Sequence, residues 1–332
     1  MNELRPVTGF YMHASAPLHD TGWGHPEHQG RLRTLASAVG KDLVTLHGHV
    51  EALEPRAATL AELARVHARD YLASIRDRVA EAEAEGRVLE FAPETPVSEA
   101  TWEAVLGSSG AAIEAVEAVA GRRFRTAFVA TRPPGHHASA DAAMGFCLVN
   151  HVAVAARHLQ ATGRARRIAI VDWDVHHGNG TQEIFYDDPS VYYLSVHQAP
   201  WYPGTGSAGE RGAGPGQGAT RNVPLGAGSD GAAVAAALEE ALAAAAAEFA
   251  PDFVLVSAGF DSLAGDPLGG FQLEPTDFHQ LTRLVLAWAD ATCQGQVVAL
   301  LEGGYDPRRT GHATVATLRA LARLPVPTAP TA

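Results

Sequence analysis

Short apolar runs rich in β-branched residues recur along the chain and predict buried strands. They lie at 126–130 (TAFVA), 167–174 (RIAIVDWD), 191–197 (VYYLSVH), 252–261 (DFVLVSAGFD) and 296–306 (QVVALLEGGYD). Segments with helical spacing lie between and around them, at 101–120, 150–161, 230–249, 276–291 and 310–324. Continuous apolar runs are typical of strands that are covered on both faces. The alternation predicts an α/β fold with a mostly parallel sheet flanked by helices.

No composition shift or linker divides the chain, which favours a single domain. Of the 332 residues, 46% are hydrophobic and 19% are charged, as in a soluble protein with a large core. The Gly-rich stretch 204–231 predicts a long loop, and the Pro-containing end 325–332 predicts a frayed tail. We therefore expect one domain over residues 1–324.

A net charge of −12 limits the classes of partner. Nucleic acids and acidic membranes select a basic face, so we expect neither as a partner. Two cysteines are too few for a disulfide framework, and no apolar run is long enough for a signal core or a membrane span. The cytoplasm is the expected location. The sequence leaves open whether the protein forms a homo-oligomer.

Polar side chains follow the predicted strands at the points where the strands end. His136 and His137 follow TAFVA, an Asp/His group ends RIAIV, Asp261 ends DFVLVSAGF, and Tyr305 follows QVVALLEGG. Because the carboxyl ends of parallel strands share one edge of a sheet, these segments predict one pocket.

The stretch VDWDVHHGNG (171–180) predicts a metal site. If the chain stays extended through residue 176, Asp172, Asp174 and His176 point to one side. Asp174, His176 and Asp261 together are a ligand set that suits a divalent metal, zinc above all. The alternative is that these side chains only cap turns at strand ends.

TRPPGHHA (131–138) presents two adjacent imidazoles after a stiff Pro-Pro-Gly turn. Lone histidines are usually structural, whereas a tandem pair beside a metal is suited to proton transfer. We expect Asp172 to hold one histidine and Asn179 to contact the other. In EGGYD (302–306), the paired glycines would bring the Tyr305 phenol close to the metal, where it can donate a hydrogen bond to an oxyanion.

Two other functions, dinucleotide binding and serine hydrolysis, are not supported by the sequence. GTGSAG (204–209) matches a dinucleotide fingerprint, but RGAGPGQG follows it where a helix is required. The chain contains no GxSxG, the usual sequence sign of a serine hydrolase.

Five motifs taken in this order, RPPGHHA, GFCLVN, DWDVHHGNGTQ, SAGFDSLAGDPLG and EGGYD, resemble the zinc-dependent histone deacetylase superfamily. The resemblance runs from about His13 to about Arg319. HDTGWGHPEHQGRL and the GERGAGPGQG loop are more similar to the class II and bacterial amidohydrolase-like members. The resemblance implies the single-domain arginase–deacetylase fold, with a central parallel sheet of about eight strands. It also implies one Zn²⁺ per chain and a structural K⁺.

Position by position, the resemblance implies the following roles. Zinc ligands are Asp174, His176 and Asp261, the carbonyl-polarising phenol is Tyr305, the general acid/base is His137, and its electrostatic partner is His136, supported by Asp172. Substrate-binding positions are Gly145, Phe146, Tyr202, Trp201 and Leu268, with Arg31 near the acetate exit. Potassium positions are Asp172, Asp174, His176 and Ser195. Asn179 stands where class I enzymes carry an aspartate, and a neutral amide stabilises an imidazolium less well than a carboxylate does.

The resemblance implies hydrolysis of acetyl-lysine or another acyl-lysine in peptides or proteins, releasing acetate and a free amine. A small acetylated amine is the second possible substrate. Leu268 at the channel mouth favours a peptide, because it lacks the carboxylate that would attract a polyamine. The residues leave two more functions open, a dimetal ureohydrolase of the same superfold and a non-catalytic acyl-lysine reader.

Overall fold

A computed structural model describes residues 8–326. The strands are β1 (Thr8–Tyr11), β2 (Val50–Leu53), β3 (Leu89–Ala92), β4 (Thr95–Val97), β5 (Thr126–Val129), β6 (Ile168–Asp172), β7 (Val191–Gln198), β8 (Thr220–Leu225), β9 (Phe253–Ala258) and β10 (Val297–Leu301). The helices are α1 (Gly30–Lys41), α2 (Leu43–Leu46), α3 (Leu60–Leu63), α4 (Arg69–Glu85), α5 (Thr101–Ala120), α6 (His151–Ala161), α7 (Asn179–Phe185), α8 (Gly231–Glu248), α9 (Asp277–Cys293) and α10 (Pro307–Leu321).

Eight strands form one sheet in the order β2-β1-β5-β10-β9-β6-β7-β8, and every neighbouring pair is parallel. The remaining strands, β3 and β4, form a separate antiparallel hairpin. The predicted α/β class and the predicted parallel sheet of about eight strands are confirmed.

Both faces of the sheet are covered, which explains why its strands are continuously apolar. In β6, Ala169 and Val171 belong to a core built with α1, α8, α9 and α10, whereas Ile168 and Ile170 belong to a core built with α5, α6 and α7. Alternate side chains of a strand point to opposite faces, so each strand contributes to both cores. The result is a three-layer arrangement that leaves the strand ends to form sites.

The prediction of an unbroken loop over 204–231 is wrong. Residues 220–225 form β8, which within residues 8–326 pairs with β7 alone and is therefore an edge strand. Pro224 fits an edge strand because one side of such a strand needs no ladder donor. The sequence pattern also did not predict the short strands β1 and β2.

The last helix begins and ends three residues earlier than its pattern indicated. Asp306 caps it by accepting hydrogen bonds from the backbone N–H groups of Arg308 and Arg309, both at 3.0 Å, and Pro307 occupies the first turn. The helix ends before Arg323, which is left-handed at φ 60°. Of the predicted tail, residues 327–332 lie outside the described part of the chain. Over residues 8–326, no helix is both long and apolar enough to cross a membrane.

Candidate active site

Four neighbouring strands, β5, β10, β9 and β6, bring the chemically distinctive segments to one edge of the sheet. His136 and His137 follow β5, Tyr305 follows β10 and Asp261 follows β9. Asp172 is the last residue of β6, with Asp174 and His176 just beyond it. The parallel sheet therefore brings these segments together, as the sequence pattern indicated.

Asp174, His176 and Asp261 form a buried group able to hold a metal ion. One ligand atom from each lies within 4.8 Å of the others. His176 Nδ1 is 3.1 Å from Asp174 Oδ1 and 3.1 Å from Asp261 Oδ2. The chain does not stay extended through residue 176, the condition for Asp172, Asp174 and His176 to alternate onto one side, because β6 ends at Asp172 and residues 174–176 form a bend. The backbone N–H of His176 donates to Asp174 Oδ1 at 2.9 Å, and this bend brings the two side chains together.

The charges in this group are strongly coupled. Burial lowers the pKa of His176, but hydrogen bonds to Asp174 and Asp261 outweigh it and raise that pKa to about 10. Burial together with the neighbouring Asp174 carboxylate raises the pKa of Asp261. Burial opposes ionisation of Asp174, yet His136 and His176 hold its pKa below the ordinary value. Two carboxylates around one imidazole thus attract a cation strongly at this point.

The tandem histidines have different partners, as predicted. His136 Nδ1 lies 3.1 Å from Asp172 Oδ2, and His137 Nδ1 lies 2.7 Å from Asn179 Oδ1. The two rings are 4.1 Å apart between centroids. Asp172 also accepts hydrogen bonds from the Tyr193 hydroxyl at 3.0 Å and from the backbone of Asp174 at 3.1 Å.

These environments separate the pKa values of the two imidazoles. For His136, burial lowers the pKa, but Asp174 and Asp172 raise it to about 10. For His137, burial and the positive charges of His136 and His176 hold the pKa well below its usual value. The opposite shifts favour the protonated form of His136 and the neutral form of His137.

The EGGYD turn places Tyr305 against the acidic group. The backbone N–H of Gly303 donates to Asp174 Oδ2 at 2.9 Å, and a Cβ on Gly303 would lie only 2.0 Å from Asp261 Oδ2. Glycine is therefore required for this close approach. Burial raises the pKa of Tyr305 well above its usual value, so the phenol keeps its proton and remains a donor.

A cavity of about 380 Å³ leads from the surface to this group. Phe146 adopts φ 69°, an uncommon left-handed conformation, and its ring meets the Tyr305 ring edge-on at 5.8 Å. Tyr202 packs edge-on against His137 and His176 at 5.4 and 5.9 Å. The lining residues are His25, Pro26, Glu94, His137, Gly145, Phe146, His176, Trp201, Tyr202, Pro267, Leu268 and Tyr305. The cavity therefore has aromatic side chains in its walls and reaches His137, His176 and Tyr305.

Comparison with known proteins assigns the family. The histone deacetylase domain matches residues 25–321. This chain belongs to the histone deacetylase family. A chloroplastic histone deacetylase 10 of Oryza sativa subsp. japonica is 38% identical over 96% of this chain and 74% of the relative. A probable deacetylase of Archaeoglobus fulgidus is 37% identical over 90% of this chain and 82% of the relative.

A solved structure supports the same assignment at the level of the fold. The crystal structure of the HDA15 HD domain superposes with a TM-score of 0.87 at 34% identity, covering 97% of this chain and 90% of that one. The deacetylase family and its α/β fold therefore agree with the strand-end site, and the chain is a hydrolase of the deacetylase type.

Not every residue that the resemblance implied lies on the channel of this deacetylase. Trp201 and Leu268 lie at its mouth, where Trp201 Nε1 donates to the Leu268 carbonyl at 2.9 Å. Arg31, by contrast, is fully buried behind Tyr305, with its guanidinium carbon 4.9 Å from the phenol ring centroid. Ser195 is buried within β7, and its hydroxyl pairs with His197 Nδ1 at 2.9 Å. Arg31 and Ser195 are therefore not among the residues that line the channel.

Several residues around the site carried no clear sequence signal. Glu302 accepts hydrogen bonds from the backbone N–H groups of Gly135 at 2.6 Å and His136 at 3.1 Å, which anchors the histidine turn to β10. Burial raises the pKa of Glu302 to about 7. The motif EGGYD contains it, but only the folded chain reveals its contact with a segment 166 residues earlier.

Asp266 is a second such residue. Its Oδ2 accepts from the backbone N–H of Tyr305 at 2.7 Å, and its Oδ1 accepts from that of Leu268 at 2.9 Å. One carboxylate therefore ties the turn that carries the phenol to the channel mouth. Burial and the nearby Asp261 raise the pKa of Asp266 to about 7, whereas the two N–H donors favour its ionised form.

Proposed function

We propose that this deacetylase hydrolyses the amide of acetyl-lysine, or a related acyl-lysine, in peptides or proteins and releases a carboxylate and the free amine. The observation that supports this proposal most is the channel of about 380 Å³ that ends at the Asp174–His176–Asp261 group. A lysine stem is apolar along its length and suits such walls. The amide would then lie beside His137 and Tyr305, which line the same channel.

The donor set at the end of the channel fits a single Zn²⁺. Two carboxylates and one imidazole formally neutralise the ion and leave a coordination position open, as catalytic zinc sites require. When bound, the metal supplies a Lewis acid and lowers the pKa of water. A structural K⁺ near Asp172 and Ser195, which pair across β6 and β7, is a further proposal that follows from the resemblance.

His137 is the proposed proton carrier. Since the Asn179 amide oxygen can only accept, the neutral ring must place its proton on Nδ1, which leaves Nε2 free as a base. His137 takes a proton from the attacking water and then delivers it to the departing amine. Burial, together with the positive charge of neighbouring His136, holds the pKa of His137 low and favours its neutral form before that step.

Tyr305 is the proposed donor to the substrate oxygen. Its phenol stays protonated and lines the same channel as His137. As the amide carbon becomes tetrahedral, the phenol donates to the oxygen on which negative charge accumulates. Gly145 and Phe146 line the same stretch of wall and would hold the stem of the substrate.

An acetylpolyamine is the second candidate substrate, and one observation favours it. Glu94, in the turn between β3 and β4, lines the channel and is exposed. Its carboxylate would attract the ammonium groups that a polyamine carries beyond the scissile amide. Leu268 at the mouth offers no such charge, so the two rim residues favour different substrates. We keep acyl-lysine first because the channel wall is predominantly apolar.

The test is turnover of a panel of acyl-lysine peptides and N-acetylated polyamines by the purified protein, with Asp174→Ala as the control. The proposal expects peptide turnover that Asp174→Ala abolishes. Preference for polyamines by tenfold or more in kcat/KM, about 1.4 kcal/mol, would favour the second candidate. Binding of acyl-lysine peptides without turnover would instead identify a reader.

A further inference from the structure

A second cleft, of about 440 Å³, opens at the amino ends of the strands, whereas the active site lies at their carboxyl ends. Arg167 immediately precedes β6, Ala219 immediately precedes β8, and Tyr192 is the second residue of β7. The cleft therefore lies at the amino ends of these strands. It shares no lining residue with the active-site channel.

Arginines outnumber carboxylates in this cleft, although the whole chain carries a net charge of −12. Arg167 and Arg211 line it together with one acid, Glu248, and Arg221 lies directly behind. The Arg167 guanidinium stacks 4.2 Å from the centroid of the Phe249 ring, and within residues 8–326 it has no carboxylate at salt-bridge distance. One guanidinium fork is thus open to an external anion.

The one acid in the cleft is held loosely. Glu248 lies 3.8 Å from an Arg211 nitrogen, 3.4 Å from Arg221 and 3.5 Å from the Tyr192 hydroxyl. Charge-assisted hydrogen bonds are normally about 2.7–2.9 Å long, so none of these three contacts with Glu248 is a close one. Tyr192 is itself a buried side chain, 1% exposed, and its hydroxyl also accepts from Arg221 Nε at 3.0 Å.

The Gly-rich loop holds the backbone at Arg211 in place. The Arg211 carbonyl accepts from the Gly218 N–H at 2.6 Å, and the Ala213 N–H donates to the Tyr186 carbonyl at 2.8 Å. Gly212 adopts φ 91°, and a Cβ there would lie 2.1 Å from the Gly216 carbonyl oxygen. The GERGAGPGQG segment, which the channel does not use, therefore forms a compact ring that positions one wall of the cleft.

We propose that this cleft binds a small polyvalent anion bearing phosphate or carboxylate groups. Planar guanidinium forks match the oxygens of both groups. Arg167 and Arg211 line the cleft, and Arg221 lies behind it, bonded to the Tyr192 hydroxyl and to Glu248. The volume falls within the range of small-ligand sites, about 300–1,000 Å³. Apolar side chains of the lining, Pro189, Pro215 and Phe249, accommodate the remainder of the ligand. Glu248 competes with the ligand for the same donors.

The experiment measures Kd by titration calorimetry for inorganic phosphate and for succinate, in chloride buffer of constant ionic strength. It compares the wild type with Arg211→Gln and Glu248→Gln. The matched control is Arg87→Gln, which removes an exposed arginine that pairs with Glu85 elsewhere on the surface. Arg211→Gln should weaken binding about tenfold, and Glu248→Gln should tighten it several-fold, because the competing charge is gone.

The relative Kd values of phosphate and succinate identify which oxyanion the site prefers. The proposal is overturned if neither anion binds, or if Arg87→Gln weakens binding as much as Arg211→Gln does. It is also overturned if Glu248→Gln leaves Kd unchanged. Should Arg211→Gln fail to fold, Arg167→Gln provides the same comparison, because its side chain lies on the surface.

Discussion

Asp266→Asn should lower catalysis through Tyr305, although Asp266 does not line the channel. The carboxylate accepts one backbone N–H on each oxygen, from Tyr305 at 2.7 Å and from Leu268 at 2.9 Å, and the residue is only 6% exposed. Asparagine keeps the volume, but it turns one of the two acceptors into an N–H₂ group. Whichever way the amide faces, one backbone N–H then meets a donor.

The magnitude follows from those contacts. Leaving a buried backbone N–H without an acceptor costs about 1–3 kcal/mol, which the chain relieves by moving one of the two segments. A displacement of about 1 Å at a catalytic group can lower the rate about 10²-fold. We therefore expect kcat on an acetyl-lysine peptide to fall about 10²-fold, with a much smaller change in KM.

A double-mutant comparison separates this positioning role from general damage. In a Tyr305→Phe background, Asp266→Asn should cause little further loss of kcat, because the phenol through which it acts is already absent. Asp230→Asn is the matched control, since Asp230 only caps α8 through the Ala233 N–H at 2.9 Å. If the losses from Asp266→Asn and Tyr305→Phe multiply in the double variant, the reasoning is refuted.

Three further predictions concern the channel. Tyr305→Phe should lower kcat about 10²–10³-fold in steady-state assays while KM stays similar, because it removes one oxyanion donor; near wild-type kcat would make the phenol a packing residue. Asn179→Asp adds a negative charge beside His137, whose pKa is held low, so the pKa of His137 should rise. The acid limb of the kcat/KM profile should then move to higher pH. If the limb does not move, another group is the base. Glu94→Gln should reduce kcat/KM for acetylpolyamines more than for peptides. Leu268→Glu should shift the preference toward acetylpolyamines, because it adds a carboxylate at the mouth. Equal changes for both substrates would show that the charge at the mouth does not set specificity.

The sequence predicted the strands that matter most for the site, because they are buried on both faces. Runs such as RIAIV and FVLVSA are long enough to be recognised without any knowledge of their neighbours. β8 was missed because an edge strand is only partly buried and here contains Arg, Asn and Pro among glycines. β1 and β2 are four residues each, and β2 has two exposed positions, so neither gives a periodic signal.

Within the site, the sequence predicted the functional residues that directly follow strands. It did not predict the residues that contact the site from distant segments of the chain. Asp174, His176 and Asp261 meet as expected, although through a bend and not through a continued strand. Glu302 and Asp266 act by accepting backbone N–H groups, which every residue type except proline can supply. Glu94 reaches the channel from a separate hairpin, and no local pattern places that hairpin at the mouth.

The most direct test of the central claim is a zinc titration of metal-free protein with turnover of an acetyl-lysine peptide measured in the same samples. If Asp174, His176 and Asp261 hold the catalytic ion, turnover should rise with added Zn²⁺ and saturate at one ion per chain. Asp174→Ala should lose both that binding event and turnover. Full activity in the metal-free protein, or saturation only at two ions per chain, would contradict the account.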